Sequence, residues 1–170
     1  MTDKENLTGD AQTYRREPEI DAIVPQFPQY GCFPRISENG DAWIHPDDRR
    51  LVEKLIPSER LMRRESFDGT YYTYRYGKQC FRLKPVLWLS VRGEGFEIGD
   101  AVETIGQGME RELFVGQIWG AYYVRRKAKI MYRLKRAGNP VPGLFPATAL
   151  RLLENKQHVS PSTVVYPQPT

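Results

Sequence analysis

The stretch "VGQIWGAYYVRRKAKIMYRLKR", Val115–Arg136, carries apolar residues at both ends of a basic turn. In its second half Ile130, Tyr132 and Leu134 fall on one face of an extended chain, and Met131, Arg133 and Lys135 on the other, because successive strand side chains point to opposite sides. The stretch therefore reads as a hairpin with Arg125, Arg126 and Lys127 at its tip. Between Arg125 and Arg136, seven of twelve residues are Lys or Arg and none is acidic. The apolar face is core and the basic face is outer surface.

Working outward, "FEIGDAVETIG" (Phe96–Gly106) precedes the hairpin and "GLFPATALRLLE" (Gly143–Glu154) follows it. A Gly99-Asp100 opening before the strand at Ala101-Val102, a long loop, a strand with Val115–Ile118, a hairpin to a third strand, and a closing short turn with a last strand over Pro146–Leu153 follow one another. This order resembles the SH3-like small barrels of the Tudor and KOW type. The resemblance covers residues 96–154 and implies a fold more than a job, since such barrels bind peptides, RNA, DNA and ribosomes. The expected core is Val102, Val115, Ile118, Ile130, Tyr132, Leu134, Leu150 and Leu152, with Met131, Arg133 and Lys135 exposed. A Tudor-type aromatic cage for a methylated cation would draw on Trp119, Tyr122, Tyr123 and Tyr132.

Residues 31–91 form a different unit. In "IHPDDRRLVEKLIP" (Ile44–Pro57), Pro46 suits the first helical position, and Asp47 and Asp48 favour the positive end of a helix. Leu51, Val52, Leu55 and Ile56 then share one face, and Pro57 stops the helix. Asp68-Gly69 and Gly77-Lys78 are turn dipeptides between aromatic and β-branched runs. They predict an antiparallel meander with strands Leu61–Phe67, Thr70–Tyr76, Gln79–Leu83 and Val86–Val91. Tyr72, Tyr74 and Tyr76 lie on one face, read as core or half-core, although such a face with Arg63, Arg64, Arg75 and Arg82 nearby could also stack bases or grip an acidic peptide. Arg92–Gly95 reads as a hinge. Residues 1–30 read as an acidic leader, disordered and then extended against the body, and residues 155–170 as a disordered tail. The fold class is thus mainly β (α+β): a helix plus antiparallel β-meander followed by an SH3-like small barrel.

Charge is uneven. Residues 1–44 hold four basic and eight acidic side chains, whereas residues 45–154 hold twenty and thirteen. A basic body of +7 favours anionic partners, namely nucleic acid or an acidic protein surface. No apolar run approaches the roughly 20 residues that cross a bilayer, and "MTDKENLTGD" has no signal-peptide core. Two cysteines, Cys32 and Cys80, make neither a disulfide framework nor a metal knuckle, so a cytoplasmic setting is expected. Cys80, between Gln79 and Phe81, reads as a small buried thiol. His45 beside Asp47 and Asp48 is explained by helix capping. The glycines at 93, 95 and 99 lack the spacing of a dinucleotide fingerprint.

No cofactor, metal or catalytic set is legible, and an enzyme whose site leaves no motif remains the less favoured class. The expectation is a non-enzymatic binding module, with a protein-interaction or scaffold domain as the alternative. Candidate contacts are Trp119, Tyr122, Tyr123, Arg125, Arg126, Lys127, Arg133 and Lys135, through phosphate pairing and base stacking. The same run also reads as the solvated side of a hairpin, where cations discourage edge pairing.

Overall fold

The computed structural model describes residues 25–35, 40–86, 88–106 and 113–153. The expected leader and tail, apart from residues 25–30, lie outside the described residues. The described residues are mainly antiparallel β-sheet with one short helix, α1 (Arg49–Leu55). Pro46–Asp48 form a turn of 3₁₀ helix ahead of it, with Pro46 leading as expected. Val52 and Leu55 are buried, and Ile56 turns the backbone extended before Pro57.

The carboxylates ahead of α1 do something the sequence reading missed. Asp48 leaves the helix uncapped and accepts instead from the backbone N–H of Arg82 at 2.8 Å and from its guanidinium at 2.8 and 3.2 Å. Those bonds hold its carboxyl below the usual carboxylate range against the opposing effect of burial. The helix is thereby tied to the sheet.

The strands are β1 (Gln29–Phe33), β2 (Ser58–Phe67), β3 (Tyr72–Tyr76), β4 (Gln79–Leu83), β5 (Leu89–Val91), β6 (Ala101–Thr104), β7 (Val115–Val124), β8 (Lys129–Arg136), β9 (Asn139–Pro140), β10 (Phe145–Pro146) and β11 (Leu150–Leu152). They join in one continuous sheet whose main path is β10-β8-β7-β2-β1-β5, with β3–β4 branching from β2 and β6–β11 from β7. The path is open, with β10 and β5 at its ends.

The predicted meander holds for β2, β3 and β4. Its fourth strand is corrected: pairing there begins at Leu89, and β5 joins β1 rather than β4. The extended segment before residue 34 supplies that partner, since β1 lies between β2 and β5. Gly31 makes this possible, because a Cβ there would stand 2.5 Å from the Leu89 carbonyl and 2.6 Å from the Trp88 ring.

Among the described residues two hydrophobic cores result. The first gathers Phe33, Trp43, Ile44, Val52, Leu55, Ile56, Met62, Tyr74, Phe81 and Leu83. The second gathers Leu61, Val102, Ile118, Ala121, Ile130, Tyr132, Leu134, Phe145 and Leu150. Leu61 and Met62 are neighbours on β2, and strand alternation sends one into each core. Tyr74 is fully buried with Tyr72 and Tyr76 packed beside it, and the Arg64 guanidinium sits between the Tyr72 and Trp88 rings at 4.3 and 4.2 Å. Among the described residues no helix is long and apolar enough to cross a membrane.

Several core expectations are corrected. Val115 is 57% exposed: it stands three residues from the buried Ile118, and an odd spacing puts two strand residues on opposite faces. Leu152 is 44% exposed, being the last residue of β11 and beyond the second core cluster. Met131 is 6% exposed, because Tyr122 and Pro146 pair with it from the two flanking strands. Cys80 is exposed because Phe81 and Leu83 take the core face of β4; Cys32 is the buried thiol.

Leu61→Ala and Met62→Ala should each cost about 2–5 kcal/mol. Each should lower the denaturation midpoint of both cores together, read by hydrogen exchange at β3 and β8 amides; separate transitions would show that the shared strand does not couple them. Asp48→Ala should cost about 1–3 kcal/mol at neutral pH. A depressed folded pKa gives stability that is present at neutral pH and lost as pH falls through it. The gap between Asp48→Ala and the native chain should therefore close in acid, as measured by urea denaturation across pH 2–7.

Candidate functional site

Strands β7 and β8 form the expected hairpin, paired from Gln117↔Lys135 to Val124↔Lys129. The register slips between Ile118 and Gly120, so Trp119 is an extra residue on β7. Such a bulge shifts the alternation of everything beyond it. Ile118 faces the core opposite Leu134, and past the bulge Ala121 and Tyr123 face it opposite Tyr132 and Ile130. Trp119 and Tyr122 are left on the outer face.

There they interleave with the cations of β8. The Arg133 guanidinium lies 5.5 Å from the Trp119 ring centre and 5.3 Å from that of Tyr122, and the Lys135 ammonium lies 5.2 Å from Trp119. The order across the face is Lys135, Trp119, Arg133, Tyr122, with ring and charge alternating. Cation–π contacts of this kind contribute about 0.5–1 kcal/mol each at exposed sites. The Trp119 indole N–H donates to the Leu134 carbonyl at 3.1 Å, which fixes the ring over β8. Gly120 leaves room for the phenol, since a Cβ there would meet Tyr122 at 2.9 Å.

Two residues outside the predicted contact set extend the ladder: Arg60, which the sequence reading did not single out, and Tyr76, which it placed on the separate Tyr72–Tyr76 face. The Tyr76 phenol lies close enough to Tyr122 to be raised by it as well as by burial, and the Arg60 guanidinium lies 5.8 Å from the Tyr76 ring. Arg60 arrives because β2 pairs with β7 at Arg60↔Tyr122. Only the Gly in "WGA" signalled the bulge beforehand; nothing in the sequence signalled the β2–β7 junction.

The other predicted contacts divide. Arg125, Arg126 and Lys127 form a 3₁₀ turn at the hairpin tip. Arg125 is paired with Glu59 at 3.3 Å. Among the described residues no carboxylate pairs with Arg126, Lys127, Arg133 or Lys135. Tyr123 packs against the second core. With Tyr132 fully buried and Tyr123 inward, the four rings of the expected cage do not face a common space.

Elsewhere, a mostly apolar cavity of about 680 Å³ is bordered by Ile105, Leu113, Phe114, Val141, Leu144 and Phe145. A second, of about 390 Å³, lies where β1, β2 and β3 meet residues 96–98. Its walls carry a chain of ion pairs: the Tyr30 hydroxyl donates to Glu97, Arg63 reaches Glu97 at 3.3 Å, and Arg75 reaches Glu65 at 2.6 Å. Each charge there has an opposite neighbour, as in a structural clamp. No group of three or more metal-ligating side chains occurs among the described residues.

Residues 23–151 match the model of a family of unknown function, DUF6960, and the chain belongs to that family. No curated protein and no solved structure matches it.

Three phenols in these contacts resist ionisation. Burial, aided by Glu97, pushes Tyr30 up to about 12. Tyr76 is raised by burial and then by Tyr122, and Tyr132 by burial and then by Glu94. A phenol whose folded pKa exceeds its ordinary 10.0 favours the folded chain fully below that pH, and the benefit is lost as pH rises through the folded value. Alkaline titration followed by tyrosinate absorbance should therefore show a late component that coincides with loss of structure above about pH 11. Tyr30→Phe should reduce that component; titration of every phenol near pH 10 in the folded chain would contradict the assignment.

Proposed function

We propose that this member of the family is a non-enzymatic binding module, and that the outer face of its β7–β8 hairpin contacts the phosphate backbone of a nucleic acid. The observation that carries the reading is the ladder of Lys135, Trp119, Arg133 and Tyr122, whose cations have no carboxylate partners among the described residues. Charges paired at home gain little by meeting a phosphate. Charges held in place by aromatic rings keep their donors for a ligand, and a basic body of +7 adds to the attraction.

We infer further that residues 96–154 are an SH3-like module. Support comes from element order: β6, β7, β8 and β10 are followed by a 3₁₀ turn at Ala147–Ala149, after which β11 returns to pair with β6. The unit of residues 31–91 is proposed as its packed companion, joined through β2. A cytoplasmic setting accords with two unpaired cysteines, Cys32 and Cys80.

A protein-interaction or scaffold domain is the second reading, favoured by the apolar cavity of about 680 Å³ beside Leu113 and Leu144, which suits an apolar side chain of a partner. Salt dependence separates the two. Each phosphate neutralised contributes about 0.7–0.9 to the slope of log affinity against log salt. With Arg126, Lys127, Arg133 and Lys135 engaged, the slope should be about −2.8 to −3.6, and Arg133→Ala or Lys135→Ala should each flatten it by nearly one unit. Fluorescence anisotropy with labelled oligonucleotides at about 50–200 mM salt measures this. No binding at the lowest salt would leave the ladder as a solvated face and favour a protein partner.

A further inference from the structure

We infer that the ladder selects single-stranded over duplex nucleic acid; this rests on the nucleic-acid reading above and narrows its ligand. A two-stranded ribbon reads a duplex by entering the major groove, which is about 12 Å wide. The β7–β8 hairpin cannot enter as a ribbon, because its edges are occupied. β7 is paired with β6 at Ala101–Glu103 and with β2 at Arg60. β8 is paired with β10 at Met131 and Tyr132 and with β9 at Lys135 and Arg136. The tip is tethered through Arg125 to Glu59 at 3.3 Å. What the hairpin offers a ligand is a face embedded in a broad sheet.

On that face the chemistry alternates between rings and charges. A single strand alternates in the same way between bases, which expose their π-faces once unstacked, and phosphates. A base can lie against Trp119 or on the planar Arg133 guanidinium while its phosphates meet Lys135 and Arg133. A duplex presents only its phosphates to a flat sheet, so the rings contribute nothing. The indole N–H bond to the Leu134 carbonyl, at 3.1 Å, orients Trp119 before any ligand arrives and lowers the cost of ordering it on binding.

The test uses the full chain and three fluorescent probes of one mixed sequence, about 12 nucleotides long: single-stranded RNA, single-stranded DNA and the DNA duplex. Both single strands should bind at least about tenfold more tightly than the duplex. Trp119→Leu should weaken single-strand binding about 5- to 150-fold, the range for losing one stacked base, with the salt slope unchanged. Trp119→Phe, which keeps a ring, should recover most of it, and circular dichroism should show both variants folded. Duplex binding as tight as single-strand binding, with the slope intact, would overturn this inference and keep the nucleic-acid reading. Single-strand binding indifferent to Trp119→Leu would do the same. Absence of binding to all three probes would remove both.

Discussion

Strand β2 is where the molecule is held together, and the constraint is the simple alternation of an extended chain. Leu61 and Met62 are adjacent, so one must point up and the other down, and each direction leads into a hydrophobic core. The same strand accepts β1, β3 and β7 as partners. Its next residues continue the job in a different currency of interaction. Arg63 joins Glu97, Arg64 lodges between Tyr72 and Trp88, and Glu65 binds Arg75. Apolar burial and ion pairing thus act on consecutive positions, and a shift of one residue in register would exchange the two environments.

The candidate interface depends on that arrangement. Arg60 reaches the ladder only because β2 touches β7, and Tyr76 meets Tyr122 only because β3 follows β2 around the junction. The bulge at Trp119 completes the face. Without the extra residue, Tyr122 would follow the core-facing parity of Ile118 and Tyr123 would turn outward. One inserted residue therefore decides which aromatics are structural and which are available.

Much of this was legible beforehand because it rests on local chemistry. Pro46, the Asp68-Gly69 and Gly77-Lys78 turns, and the alternation from Ile130 to Leu134 dictate a helix start, two hairpins and a core-facing strand with little help from distant residues. The errors arose where a distant partner decides. Met131 is buried because Tyr122 and Pro146 flank it, a consequence of β10 that local pattern does not encode. Val86–Val91 carried β propensity but no mark of its partner, and β1 claimed its last three residues. Tyr123 followed a parity that only the bulge could set. Asp48 was taken for a cap because its rival, Arg82, lies thirty-four positions away. Of the site, Trp119, Tyr122, Arg133 and Lys135 came from the hairpin's own pattern, whereas Arg60, Tyr76 and Gly120 required the assembled sheet.

The pairing of Arg125 with Glu59 has a geometric consequence for the field outside the protein. By composition the hairpin tip is its most charged point, yet one of the three tip cations is answered at 3.3 Å by a carboxylate on β2. Among the described residues the apex then keeps two cations without a carboxylate, Arg126 and Lys127, and β8 continues the positive charge with Arg133 and Lys135, two residues apart on one side of the strand. Two such positions are separated by about 6.5–7 Å along an extended chain. A polyanion arriving from solution meets a track with a direction rather than a single charged knob.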